Sequence, residues 1–270
     1  MQSPDGKSGS APGADLVLVP ATRTQAAYLA ELGQRARDCM DRLIPPSADS
    51  LLAVLSRERR ASLDMRLVGF PMGGPGKIDA LASQIAAGWR AGAGLQVVLC
   101  ETGLHSGRGE PWSPRSELAA RLAGNGIPVS AVAYPPETPW PAATIELAKG
   151  CADGTVSVLI GMTSSLVRVP AIARLITAAH HLDAPYTPAD ARSRAALAPA
   201  SSSRNFRYIT EGYADAARWQ ALGAGSDPSA AVLSAIAGRA AVTGPPSPAR
   251  RTARGQRAAP PRRGPRSSRG

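Results

Sequence analysis

The sequence predicts an α/β domain built on a parallel sheet, and three observations lead there. The runs LQVVLCE (Leu95–Glu101) and VSVLIG (Val156–Gly161) are apolar without alternation, the pattern of strands buried on both faces. Segments of helix length separate these and weaker strand-like runs, as in a chain of βα units. Apolar residues make up 44% of the 270 residues, enough for a sizeable core. With only 4 Trp, 5 Tyr and 2 Phe, that core is filled by aliphatic side chains.

In chain order, Asp15–Val19 is a short strand-like run, and a helical pattern follows from Thr24 to Leu43, ended by Pro45 and Pro46. Leu51, Leu52 and Leu55 suggest a second helix and Ala61–Leu67 a third. After a Gly/Pro turn at Gly73–Gly76, Ile78, Leu81, Ile85 and Trp89 recur at helical spacing. Leu95–Glu101 is a strand, Ser116–Ala123 a helix, Val129–Tyr134 a strand and Ala142–Lys149 a helix. Val156–Gly161 is the strongest strand, Leu175–His180 a weaker one and Phe206–Thr210 another. Tyr213–Leu222 and Ala230–Ala237 close the pattern as helices.

Charge and composition narrow the class. The chain has 31 Lys+Arg against 20 Asp+Glu, a net charge of +11, and the excess is uneven. From Gly244 to Gly270 it carries eight arginines (Arg250, Arg251, Arg254, Arg257, Arg262, Arg263, Arg266 and Arg269) and no acid. That tail and the first 14 residues are rich in Pro, Gly, Ala and Ser. They bury too little apolar surface to offset their ordering entropy, so both ends are expected to be disordered. The foldable part runs from Asp15 to Val242. No apolar run reaches the roughly 18–20 residues of a membrane span, and no signal peptide opens the chain. Cys39, Cys100 and Cys151 are odd in number, far apart and in no metal-type spacing, which indicates reduced thiols in a cytoplasmic protein.

A set of strings carries a resemblance: RRASLDMRLVGFP, GPGKIDALASQI, LQVVLCE, ELAARLAGNGIPVSAV, ADGTVSVLIGMTSSL, HHLDAPYTPAD and RYITEGYADAARWQ. In this order they resemble the C-terminal RecA-like lobe of bacterial Swi/Snf-type superfamily 2 helicase-like proteins, often plasmid- or phage-borne and sometimes fused to DNA methylases. The match covers roughly Leu16 to Leu222. The organisation it implies is a disordered 1–14, a helical extension over 15–66 and a single RecA-like helicase C-terminal lobe over 67–222. A C-terminal helix over 223–243 and the disordered Arg-rich tail follow.

The resemblance implies an ATP-driven motor, in which a first lobe holds the phosphates and the second supplies arginine fingers. Fingers matter because phosphoryl transfer is mostly positioning and charge stabilisation. This sequence contains no GxxxxGK[ST]. The nearest look-alike, Gly73-Gly74-Pro75-Gly76-Lys77-Ile78, has Pro71 where the first Gly belongs and is expected to be a turn that starts a helix. In the loop after VLIG, Thr163 is kept, but Val167 and Val169 replace glycines and Pro170-Ala171 replaces Thr-Asn. β-Branched residues do not take φ > 0 readily, so another loop shape is expected. In the finger motif only Arg194 matches a family arginine, and Leu197 and Ala200 stand at the finger positions.

The remaining candidates are weaker. His180 and His181 are adjacent, so on a strand they point to opposite faces and do not converge on a metal. Ser164 and Ser165 lack the setting of a nucleophile. Tyr213, Asp215 and Trp219 are expected to dock a late helix, and Cys100 to fill core. No catalytic, metal or cofactor residue is therefore assigned. The expected partner is DNA or another nucleic acid, contacted by Thr102, Thr163, Ser164, Arg192, Arg194 and the tail arginines. The tail has two readings: a phosphate-neutralising arm, or the composition GC-rich coding DNA yields with little selection. Two functions stand: a helicase-derived nucleic-acid module without ATPase activity alone, or a degenerate protein-interaction scaffold. The first includes a motor subunit completed by a separate ATP-binding lobe.

Overall fold

The computed structural model describes residues 14–43, 50–104, 112–136 and 141–239. Six strands form one sheet: β1 (Asp15–Val19), β2 (Leu95–Leu99), β3 (Val132–Ala133), β4 (Val158–Gly161), β5 (Ile176–His181) and β6 (Arg204–Thr210). Their order is β1-β6-β5-β2-β4-β3, and every neighbouring pair is parallel. β2 and β4 are buried at every position, which is why their sequences run apolar without alternation.

Alternate residues of the sheet feed two cores, the period of two that a strand imposes. On one face Val98, Cys100, Val158, Ile160, Phe206 and Tyr208 meet α3 (Lys77–Arg90) and α4 (Pro114–Gly124) through Ile78, Leu81, Ile85, Leu118 and Leu122. On the other, Val97, Leu99, Leu159, Ile176 and Ala179 pack under α5 (Pro141–Ala152), α6 (Thr163–Leu166) and α7 (Pro188–Leu197). A third cluster joins α1 (Arg23–Met40), α2 (Leu51–Leu63) and α9 (Pro228–Arg239) through Tyr28, Leu32, Val54, Met65, Val232 and Ile236. α8 (Asp215–Gly223) lies between this cluster and the sheet, in contact with β6, α7 and α9. Among the described residues no helix is long and apolar enough to cross a membrane.

Local chemistry sets the boundaries. α1 starts in a capping box, with Thr22 Oγ1 accepting from the Gln25 N–H and the Gln25 side chain accepting from the Thr22 N–H. α7 repeats the device with Thr187 and Asp190, behind Pro188 in the first helical turn.

Three expectations are corrected. The helix predicted over Ala61–Leu67 is the end of α2, which stops at Asp64; a 3₁₀ turn, Met65–Val68, follows. Asp64 is extended (φ −160°, ψ 132°) and its carboxylate accepts from the Arg66 N–H, so it ends one helix and caps the next. The strand predicted over Val129–Tyr134 shrinks to Val132–Ala133, preceded by a 3₁₀ turn. It is an edge strand behind Pro128, paired with β4 alone, so little holds it extended. The helix predicted over Tyr213–Leu222 begins at Asp215, because Gly212 turns the chain with φ 85°. The two terminal segments expected to be disordered, His105, and all eight tail arginines lie outside the described residues, save Ala14.

Candidate nucleic-acid interface

In an open parallel sheet, ligands bind at the carboxyl ends of the strands where the chain's direction switches. Here that point lies between β2 and β5: from β2 the chain moves on to β3 at one edge, and from β5 to β6 on the other side. Residues singled out from the sequence converge at this position. Thr102 follows β2, Thr163 follows β4, and Arg194 reaches in from α7.

What they build is a closed buried charge network. Asp183, just past β5, spans the crevice and accepts from the N–H groups of Glu101 (3.1 Å) and Thr102 (2.9 Å) beyond β2. Two guanidiniums flank its carboxylate: Arg59 Nη2 at 3.1 Å from Oδ2, and Arg194 Nη2 at 3.2 Å from Oδ1. Arg194 is 1% exposed. Its Nε donates to Thr163 Oγ1 (2.8 Å), its Nη1 to the Asp183 carbonyl (2.6 Å), and its Nη2 also to Glu101 Oε1 (3.1 Å). Thr163 relays the bond by donating its hydroxyl and its N–H to the same Glu101 oxygen. Arg59 donates to Thr102 Oγ1 (2.7 Å) and to the Ala184 carbonyl, and its Cζ lies 3.8 Å from the centre of the exposed Tyr186 ring. Burial alone would raise the pKa of Asp183. The guanidiniums of Arg59 and Arg194 and the N–H donors outweigh it and hold the carboxyl well below the usual carboxylate range.

A second buried set ties the α2–α9 cluster to the sheet. Lys77, the lysine of the phosphate-loop look-alike, is 1% exposed at the start of α3, and its Nζ lies 2.6 Å from Asp215 Oδ2. Asp215 also accepts from the Thr210 N–H and the Ser62 hydroxyl. Arg218 donates to Glu58 at 2.7 Å, and Glu58 accepts from the Ala214 N–H. Gly73 and Gly74 turn the chain with φ 74° and 159° ahead of α3. The segment is a helix-starting turn whose lysine is committed to a carboxylate, as is Asp215, which docks α8.

Sequence-predicted residues thus divide. Thr102, Thr163 and Arg194 are buried and bonded to the protein's own groups, whereas Ser164 on α6 and Arg192 on α7 are exposed. Leu197 is buried in the second core, and Ala200 is exposed without charge. Val167 and Val169 sit at φ −64° and −117°, negative as β-branched residues require, in a loop that forms α6 and a 3₁₀ turn. His180 and His181 point to opposite faces. His180 Nδ1 meets Tyr208 Oη (2.9 Å) and its Nε2 meets Gln96 Oε1 (3.2 Å), while His181 Nε2 meets Asn205 Oδ1 (3.0 Å). Arg59, Glu101, Asp183, Glu58 and Arg218 were not singled out as a set. Their signal was present: Glu101 and Asp183 are acids that directly follow buried strand runs, where an acid is retained only with partners.

No protein-family model and no curated protein matches the sequence. Solved structures do resemble the fold. The C-terminal part of the Fun30 ATPase domain matches with a TM-score of 0.60 over 84% of this chain and 97% of that one, at 10% identity. The Sulfolobus solfataricus SWI2/SNF2 ATPase core, solved in complex with dsDNA, matches at 0.51 and 12% identity, over 85% of this chain but 47% of that chain. The Sulfolobus solfataricus SWI2/SNF2 ATPase C-terminal domain matches at 0.50 and 11% identity, over 77% and 84%. At these identities the likeness carries the fold: a RecA-like lobe of the helicase C-terminal type.

Proposed function

We propose that this chain is a nucleic-acid-associated module built on a helicase C-terminal lobe, with no ATPase activity of its own. The observation that carries the reading is the closed network at the carboxyl edge of the sheet. Arg194, the one arginine left from the finger pattern of the resemblance, is spent on Glu101, Asp183 and Thr163. The finger positions themselves hold a buried Leu197 and an uncharged Ala200. Neither stabilises charge developing on a γ-phosphate. Lys77, bound to Asp215, offers no substitute. A lobe whose catalytic edge is locked internally serves as a platform, and the fold's likeness to a core solved with dsDNA supports nucleic acid as what it meets. Exposed Ser164 and Arg192 stand beside the network, and the eight tail arginines supply charge without sequence reading.

Purified protein is expected to hydrolyse no ATP, with or without DNA, and to bind duplex DNA without sequence preference. If about five tail charges engage phosphates, log K falls with log[salt] at a slope of about −4 to −5. Deleting Gly244–Gly270 is expected to weaken binding heavily and flatten the slope. DNA-stimulated turnover that survives purification sinks the first half. Unchanged affinity and slope in the deletion variant transfer the binding from the tail to the lobe, and no DNA binding by the full chain ends the reading.

A further inference from the structure

Between α7, α8 and the ends of β5 and β6 lies a cavity of about 170 Å³, lined by His181, Arg194, Asn205, Arg207 and Trp219 among small and apolar residues. Its lining holds two arginines and no acid. Arg194 is offset by Glu101 and Asp183. Arg207 is not: it is half-buried on β6, and among the described residues no carboxylate lies within ion-pair distance of it. Its Cζ lies 4.3 Å from the centre of the Trp219 ring, and the His181 imidazole meets the same indole edge-on, with centroids 5.5 Å apart.

Each of these three residues carries a buried polar atom without a hydrogen-bond partner: Arg207 Nε, Trp219 Nε1 and His181 Nδ1. Unpartnered buried polar atoms are rare in native proteins, and three on residues that line one cavity, two of them packed against the ring of the third, call for a ligand. Their chemistry defines it. The arginine and indole nitrogens are N–H donors. His181 Nδ1 is a lone pair, because Nε2 must be the donor: it faces Asn205 Oδ1, whose amide NH₂ is used on the Ala198 and Ser203 carbonyls.

The geometry points to a binding site for a monophosphate, either the free ion or the terminal group of a phosphomonoester. Its unprotonated oxygens accept from Arg207 and Trp219, and its P–OH donates to His181 Nδ1. A cavity of about 170 Å³ has room for one tetrahedral oxyanion. Sulfate has no proton at neutral pH and would set a lone pair against the His181 lone pair. A phosphodiester has none either, so this site is separate from any grip on a nucleic-acid backbone and goes beyond that reading. The three atoms are sealed from solvent, so entry requires the partly covered Arg207 side chain to swing off the indole.

The test is a ¹H–¹⁵N titration of the full chain at pH 6, where about half of a phosphomonoester still carries its P–OH, with sodium phosphate, sodium sulfate, a phosphomonoester and dimethyl phosphate at matched ionic strength. The Trp219 indole signal, assigned by its loss in Trp219→Phe, is expected to shift saturably with phosphate. Sulfate is expected to bind at least about tenfold more weakly, the effect of one missing hydrogen bond to a buried acceptor, and dimethyl phosphate not at all. A phosphomonoester that binds more tightly than phosphate identifies the terminal group as the ligand, and one that does not identifies the free ion. In His181→Phe, which keeps a ring but has no acceptor to receive the P–OH, phosphate and sulfate should bind alike; in Arg207→Met neither should bind. If Arg207→Met does not fold, the titration of the unsubstituted chain decides. No saturable shift, or equal shifts with phosphate and sulfate, overturns the proposal, the latter reducing the cavity to an unselective anion patch.

Discussion

Asp183→Ala is expected to destabilise the fold by about 3–5 kcal/mol, the cost of breaking a buried ion pair from one side. The loss is large against a total of roughly 5–15 kcal/mol for a typical domain. Its origin is not the attraction that disappears but the groups left behind. Arg59 and Arg194 stay buried without their shared carboxylate, and the N–H groups of Glu101 and Thr102 lose their acceptor. Asp183→Asn keeps the shape, yet it turns an NH₂ toward donors on at least one side, so most of the loss remains. Asp190→Ala is the matched control. That carboxylate serves an exposed capping box at the start of α7, worth about 1 kcal/mol. Urea unfolding followed by circular dichroism measures all three, and a loss in Asp183→Ala no greater than in Asp190→Ala would show that the network contributes little to stability.

Why this network escaped the sequence, while most of the sheet did not, is a matter of range. A buried strand writes its environment into consecutive residues, so LQVVLCE and VSVLIG are legible alone. Helix starts are almost as local, since Thr187 and Asp190 stand three apart and act on each other. VSAVAY fails for the converse reason: it has the composition of a strand, but its sheet neighbour is on one side only. The charge network has no local signature. Arg59 finds Thr102 across 43 positions and Asp183 across 124, and Lys77 finds Asp215 across 138. From one sequence each of these is a charge with no visible partner. The resemblance made Arg194 stand out for what its equivalent does in a motor. Only the three-dimensional arrangement reveals that Glu101, Asp183 and Thr163 already hold it.

The second large effect expected is acid unfolding driven by the adjacent histidines. Burial holds the pKa of His180 down at about 3, with Arg204 adding to it. His181 is likewise held at about 3 by burial and by Arg194, against the opposing bond to Asn205. The bonds around His180 fix the neutral form: Tyr208 donates to Nδ1, while Nε2–H donates to Gln96 Oε1, whose amide NH₂ is used on the Ile85 carbonyl. In the unfolded chain both imidazoles titrate near the ordinary value of about 6.5. Above that pH neither state is protonated at these sites and stability is unaffected by them. Below it the unfolded chain takes up two protons that the native state refuses until about pH 3. Stability therefore falls as pH drops from about 6.5 toward 3, with a limiting slope of about 3 kcal/mol per pH unit for the pair. Asp183, whose folded pKa is depressed, adds its own loss only below the ordinary carboxylate range. A fold with stability at the lower end of the usual range would reach its midpoint between about pH 4 and 5. His181→Gln retains a donor toward Asn205 and removes one of the two titrating groups, so it should halve the slope between pH 6 and 4. Urea midpoints across that interval, in phosphate-free buffer, measure it. A slope near zero in the unsubstituted chain would mean that the imidazoles take up their protons without unfolding the sheet around them.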